Sequence, residues 1–231
     1  MPYLAPLLFV ILAIAAAGWL IHWLLIRTEG VFLGRRVVVW LYDLAADRYD
    51  SIKQFDPDTE SAFVTWPLRR RLKAWPAPLV LDVATGTGRL PFFLLQEPDF
   101  NGRVVGLDAS AGMLARAHDK LAPFGDRAAL VQQSALDLPF GDATFAAVAC
   151  LEALEFLSDD AAALREMARV LQPGGILLVS RRQGSDAAYF LGHTRDRDSF
   201  EALLAGLGLT DIRTQPWQVE YELVWAARPA V

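Results

Sequence analysis

The order of apolar and polar positions divides the chain into three stretches. From Leu4 to Ile26 no residue carries a formal charge, and only Pro6, Gly18 and His22 interrupt the apolar run. As a helix this run would be about 35 Å long, enough to cross a hydrocarbon core of about 30 Å. Residues 31–51 mix Val37, Val38, Val39, Trp40, Leu41 and Leu44 with Arg35, Arg36, Asp43, Asp47 and Arg48. That is the pattern of an amphipathic helix, lying either on a membrane or against a folded domain. A polar connection over 51–58 leads to a second expected helix over 59–73. It has Phe63, Val64, Leu68 and Leu72 on one side and Arg69, Arg70, Arg71 and Lys73 crowded at its end. Those cations suit a helix C-terminus, and they could equally face anionic lipid or water.

From Leu79 onward strand and helix patterns alternate. Strands are expected over 79–84, 103–108, 128–133, 144–150 and 175–181, with helices over 88–97, 110–122, 158–171 and 197–207. Ser110 is placed to cap the second of these helices, and Ser158, Asp159 and Asp160 start the third. Gly174 and Gly175 read as the turn into the fifth strand. The tail, 209–216 and 217–227, reads as two further strands joined tightly. Such alternation predicts an α/β class with a parallel sheet and helices on both faces. The expected division is an anchor over 1–27, a helical linker and lid over 28–78, and an α/β domain over 79–231.

Composition narrows this picture. A chain of 231 residues holds one Rossmann-sized domain plus an appendage. The lone Cys150 rules out an intrachain disulfide framework and fits a reducing compartment. A net charge of -5 lacks the basic field of a nucleic-acid binder. A cleaved signal peptide would want a positive leader and a shorter apolar stretch, so Leu4–Ile26 is expected to remain as a single membrane span. Trp19 and Trp23 stand near its far end, followed by Arg27, Arg35 and Arg36, which places the domain on the cytoplasmic side. His22 reads as a side chain at headgroup level.

The chemistry is concentrated after the first strand of the domain. Leu79 to Asp82 run into Ala84-Thr85-Gly86-Thr87-Gly88, a turn whose glycines allow positive φ and close approach of a ligand to the backbone. A second strand ends at Asp108, 20 residues after Gly88, where a carboxylate can accept both hydroxyls of a ribose. LVQQSALDLPF over 130–140, FAAVACLEALEFL over 145–157 and RVLQPGGILLVS over 169–180 follow in order. Together these motifs resemble the class I S-adenosylmethionine-dependent methyltransferases, and within them the ubiquinone/menaquinone C-methyltransferases and their small-molecule relatives. The resemblance runs from about Tyr42 to the C-terminus. It implies a Rossmann-like seven-stranded sheet, S-adenosylmethionine as cofactor, and a small or lipid-like methyl acceptor reached from the membrane.

The resemblance also implies roles. Asp82, Ala84, Thr85, Gly86 and Gly88 would form the methionine-binding turn, and Asp108 with Ala109 would hold the ribose. Leu107 and Met113 would flank the adenine, with Ser134 and Ala135 at its amino group and Leu151 beside the reacting centre. Four positions depart from the family pattern. Ser134 stands where an acid or asparagine is usual, Ala146 replaces an aspartate, and Phe156 replaces a frequent histidine on the acceptor side. Thr85 takes a place often held by glycine or cysteine, so its β-branch must be accommodated. A general base could be Glu152, among the apolar Leu151, Leu154 and Phe156; the same residue could instead bind the methionine amine or be solvated. His193 is the rival base, and His118 reads as exposed. No His, Cys or Asp cluster has metal-ligand spacing. A nicotinamide oxidoreductase shares the glycine turn and ribose acid, although Pro91 occupies its third glycine position. A cofactor-binding module without turnover is a further alternative.

Overall fold

The computed structural model describes residues 4–230. Its helices are α1 (Leu4–His22), α2 (Arg35–Ala45), α3 (Tyr49–Lys53), α4 (Pro57–Glu60), α5 (Trp66–Arg71), α6 (Arg89–Gln96), α7 (Ala111–Leu121), α8 (Asp160–Val170), α9 (Gly184–Ala187) and α10 (Arg197–Gly206). The strands are β1 (Leu79–Val83), β2 (Arg103–Asp108), β3 (Ala128–Gln132), β4 (Phe145–Cys150), β5 (Leu171–Arg182), β6 (Thr210–Pro216) and β7 (Tyr221–Ala227). They form one sheet in the order β3-β2-β1-β4-β5-β7-β6. The first five in that order are parallel, and β7 runs antiparallel to both β5 and β6. A four-residue link over 217–220 joins the final hairpin.

A parallel sheet covered on both faces calls for strands without a polar side, and β4, Phe-Ala-Ala-Val-Ala-Cys, is buried at all six positions. One face packs Leu81, Phe145, Leu164, Met167, Leu177 and Leu204. The other packs Val80, Leu94, Leu121, Leu178 and Trp225 together with Val64, Leu68 and Leu72. The last three come from the segment 57–74, which is a helix interrupted by a π-type stretch, Ser61–Thr65. Packing therefore sets no boundary at residue 78, because the half of the appendage that carries this apolar stripe is core. The expected helix over 31–51 is likewise broken, into a 3-10 turn at Val31–Leu33, α2, a second 3-10 turn at Ala46–Arg48, and α3.

Helix starts follow side-chain capping. Ser110 accepts from the Met113 amide at 3.0 Å, and Asp159 accepts from the Ala162 amide at 2.8 Å. The fifth strand begins earlier than the glycines suggested. Leu171 already pairs with Phe145, and the ladder then skips to Ile176 opposite Ala147. Gly174, at φ 76°, sits inside that bulge and donates its amide to Arg228 O at 2.9 Å. Gln172-Pro173-Gly174-Gly175 is thus a kink within β5 and not a turn before it.

The apolar run forms α1 and continues through a π-type turn, Trp23–Arg27. Pro6–Arg27 is long and apolar enough to cross a membrane, and its side chains from Pro6 to His22 are exposed. The domain's own cohesion lies elsewhere. Phe145, 1% exposed, meets the ring of Phe140 edge-on at 4.9 Å. Phe145→Ala is expected to lower unfolding free energy by about 3–5 kcal/mol, the usual range for such a cavity, measured by denaturant titration.

Candidate active site

The chain leaves β1 toward β2, while β4 lies on the other side of β1, so the sheet has its topological switch between β1 and β4. Outside the carboxyl ends of those strands is where an open α/β sheet leaves a crevice. An open crevice lies there, about 830 Å³ when the solvent space at its mouth is counted. Ala84, Gly86, Leu107, Asp108, Ser134, Leu151 and Glu152 line it from the sheet, Phe156 and Leu157 from the turn after β4, and Arg35, Val38, Val39, Tyr42 and Tyr49 from the appendage. A second cavity of about 360 Å³ shares Tyr49, Ala84, Gly86, Leu151 and Glu152 and adds Phe55, Asp82, Thr85, Thr87 and Arg89. The shared walls make one crevice with a roomy half and a charged end.

The turn after β1 is shaped by left-handed backbone at Ala84 (φ 56°), Gly86 (φ 55°) and Gly88 (φ 78°). For an alanine that conformation is costly, and it persists because the Thr85 amide is held by Leu107 O at 3.0 Å and the Gly88 amide by Thr85 O at 2.9 Å. The β-branch of Thr85 is accommodated by Gly106 in β2. A Cβ at 106 would come 2.9 Å from Thr85 Cγ2 and 3.0 Å from its Oγ1. The Thr85 hydroxyl, relieved of that clash, donates to Asp82 at 2.6 Å. Gly88 has a different use: its missing Cβ lets Ala117 and Leu121 of α7 close to 3.2 and 3.1 Å of that position, away from the cavity wall.

Three carboxylates surround the crevice in different states. Burial pushes the Asp82 carboxyl up to about 7, against the pull of the Thr85 hydroxyl and Arg89. Burial also raises Asp108, while its two oxygens accept from the Gly86 amide at 2.8 Å and the Ser110 amide at 2.9 Å. Glu152 goes the other way. Burial alone would raise it, but Arg89 at 2.6 Å and Lys53 at 2.7 Å prevail and lower it to about 2. Gln218 donates a further bond at 3.1 Å, and the backbone of Glu152 is left-handed at φ 53°.

Neither base candidate stands as a free proton acceptor. Glu152 is locked between two cations that favour its charged form. His193 does not line the crevice; its ring meets Phe32 edge-on at 5.5 Å, beside the foot of α1. Met113 is fully buried beneath the Ser110 cap and also lies outside the cavity lining, whereas Leu107, Ala109, Ser134 and Ala135 line it. The hydroxyl of Ser134 accepts from the Leu136 amide at 3.2 Å and so braces the turn it belongs to.

Arg89 and Lys53 were missed. Arg89 opens α6, and a cation in the first turn opposes the helix dipole; that misplacement was the available sign of a buried anionic partner. Lys53 ends α3, and no local pattern ties it to a residue 99 positions away. Two more appendage residues clamp the crevice. Asp43 accepts from the Ser110 hydroxyl at 2.6 Å and the Gly112 amide at 2.9 Å. Asp50 accepts from the Thr87 hydroxyl at 2.5 Å and pairs with Lys120 at 2.6 Å. The roof is completed by aromatic edges, Tyr42 on Phe156 at 5.9 Å and Phe156 on Phe190 at 5.6 Å.

Residues 80–175 match the family model described as a methyltransferase domain. A demethylmenaquinone methyltransferase of Corynebacterium kroppenstedtii is 35% identical over 144 residues, 62% of this chain and 59% of that protein. A ubiquinone/menaquinone biosynthesis C-methyltransferase of Hahella chejuensis is 44% identical over 104 residues, 43% of this chain and 41% of that protein. The chain therefore carries a methyltransferase domain over residues 80–175 and has the fold of S-adenosylmethionine-dependent methyltransferases. It spans about three fifths or less of the length of these two relatives. A methyltransferase of Aquifex aeolicus superposes on 80% of this chain and 98% of its own, with a TM-score of 0.63 at 19% identity. The cyclase SpnF superposes on 84% and 96%, with a TM-score of 0.67 at 19% identity, so this methyltransferase fold alone does not fix a reaction. The methyltransferase match over 80–175 speaks against the nicotinamide alternative, as does Pro91 in α6.

The raised pKa of Asp82 has a definite sign for stability. The folded domain holds this proton more tightly than the unfolded chain does, so the contribution is complete below about pH 4 and is lost as pH rises through about 7. Glu152, lowered toward 2, loses its contribution only as pH falls below about 4.5, outside that window. Asp82→Asn cannot ionise. Its unfolding free energy relative to the parent should therefore rise by about 2 kcal/mol between pH 5 and pH 8, read from denaturant midpoints at each pH; an unchanged difference would remove the buried proton from Asp82.

Proposed function

We propose that this chain is a membrane-anchored enzyme that transfers a methyl group from S-adenosylmethionine to a small lipophilic acceptor at the cytoplasmic face. The observation that carries the reading is the single crevice with two unlike ends. At one end the Asp82 carboxyl and the Glu152 carboxylate stand with Arg89, and Lys53 pairs with Glu152 from α3, so carboxyl and cationic groups converge where an amino acid zwitterion would lie. Asp108 lies at the end of β2, where each carboxylate oxygen still has a lone pair free after accepting one backbone amide, enough for ribose hydroxyls. Leu107, Ala135 and Leu136 offer apolar walls for an adenine. The other end, with Val38, Val39, Tyr42, Phe156 and Leu157, suits an apolar acceptor.

When bound, S-adenosylmethionine supplies a methyl group already activated on a sulfonium, whose departure leaves a neutral thioether. The acceptor atom that takes the methyl gives up its proton to water at the crevice mouth, so the residues need only align the acceptor and keep water from the methyl carbon. Val38 and Tyr42 of α2 with Phe156 do both, by roofing the crevice and fixing the plane of a flat ring beneath them. Glu152 contributes charge complementarity and not proton abstraction. The names of the two relatives favour a quinone-type ring as acceptor. Membrane anchoring is supported by the exposed apolar span Pro6–Arg27 and by Arg27, Arg35 and Arg36 beyond it.

Two variants test the assignments. Asp108→Ala should weaken S-adenosylmethionine binding by about 1.5–3 kcal/mol, the worth of hydrogen bonds to a charged group, with the fold intact. Titration calorimetry with S-adenosylmethionine gives the number, and an unchanged dissociation constant would take Asp108 out of the site. Glu152→Gln should weaken cofactor binding while turnover at saturating cofactor falls far less than the roughly 10²–10⁴-fold expected for loss of a general base. A large fall in turnover at unchanged affinity would restore Glu152 as base.

A further inference from the structure

The helix that roofs the crevice has a second face. Val38 and Tyr42 look into the cavity, while Trp40 is 54% and Leu44 64% exposed on the opposite side of α2. These two are one turn apart and form a single apolar patch, with Arg36 exposed beside them. Phe32 and Leu33, just ahead of α2, are exposed too. So is Leu191, which stands between two residues that touch the foot of α1: Tyr189, under the Arg27 guanidinium at 4.8 Å, and His193, against Phe32.

The connection from α1 to α2 is short and braced. Thr28 donates its hydroxyl to Trp23 O at 3.1 Å, and the Gly30 amide donates to Leu24 O at 2.8 Å. The ring of Phe32 stacks on Trp23 at 5.0 Å, which sets Phe32 at the depth of the last turn of the span. A Cβ on Gly30 would meet Val37 Cγ1 at 2.9 Å, so this foot packs directly against α2 next to the Trp40 and Leu44 patch. Aromatic and leucine side chains flanked by arginine, continuous with a transmembrane helix, have the composition of an element lying in the interfacial layer of a bilayer.

We infer that the outer face of α2, with Phe32, Leu33 and Leu191, is seated in the headgroup–acyl boundary of an anionic bilayer. The roof of the acceptor half is then the part of the protein lying against the lipid, and an acceptor dissolved in the bilayer reaches Val39, Phe156 and Leu157 around one helix without crossing bulk water. This rests on the reading of α1 as a membrane span.

The test uses the full chain in nanodiscs of phosphatidylcholine and phosphatidylserine. Cys150 is buried within β4, so a single introduced cysteine can be labelled selectively with an environment-sensitive nitrobenzoxadiazole dye. Labels at Leu44→Cys, Phe9→Cys in the span and Ala205→Cys on exposed α10 are compared. The Leu44 label should emit to the blue of the Ala205 label, should be quenched by nitroxide placed near the lipid headgroups, and should be quenched several-fold less by aqueous iodide. A Phe9 label in lipid with a Leu44 label as open to iodide as Ala205 would overturn the inference and leave the anchor standing. A Phe9 label in water would overturn both. Protection of Leu44 from iodide without lipid quenching would assign the face to protein contact, such as a second copy, and also overturn it.

Discussion

The buried contact of Glu152 with Arg89 and Lys53 is the constraint on which the crevice depends. Its three members come from the end of β4, the first turn of α6 and the last residue of α3, so one carboxylate fixes the distance between the two strands at the topological switch and the appendage above them. Such a contact is no strong source of stability, because removing two cations and an anion from water costs about as much as their attraction returns. Its effect is on geometry. Deleting Arg89 would leave an uncompensated buried charge, typically a loss of about 3–5 kcal/mol, whereas the partly exposed Lys53 ties the appendage to the same carboxylate more weakly.

The same contact explains why the appendage is not a detachable cover. Asp43 and Asp50 accept from Ser110, Gly112 and Thr87, all at the mouth of the crevice, and the following segment contributes Val64, Leu68 and Leu72 to the core. Charge fastens the first half and apolar burial the second. Between them lie Phe55 and the second cavity, so the charged end of the crevice is walled by residues from both sides of the junction.

The sheet was legible in the sequence because the central strands of a doubly covered parallel sheet are apolar through their middles, as 79–83, 103–108 and 145–150 are. The ribose acid was legible because its place is fixed by chain order at the end of the second strand. The charged end was not. Glu152 read as a carboxylate among leucines, which implies a raised pKa, because the cations that lower it come from 63 and 99 positions away. The kink in β5 was hidden for a related reason: a glycine pair whose first member, Gly174, is left-handed marks a backbone turn whether it precedes a strand or bends one, and only the partner strands decide.

Gly106 and Thr85 constrain each other through contact. The hydroxyl that holds Asp82 exists because β2 has no side chain at 106, and glycine in a central strand is otherwise a weakness. Any larger residue at 106 admits at 85 only glycine or another side chain small enough to avoid it. The strand therefore cannot carry a side chain at 106 without surrendering the hydroxyl that tunes the acid at the end of β1.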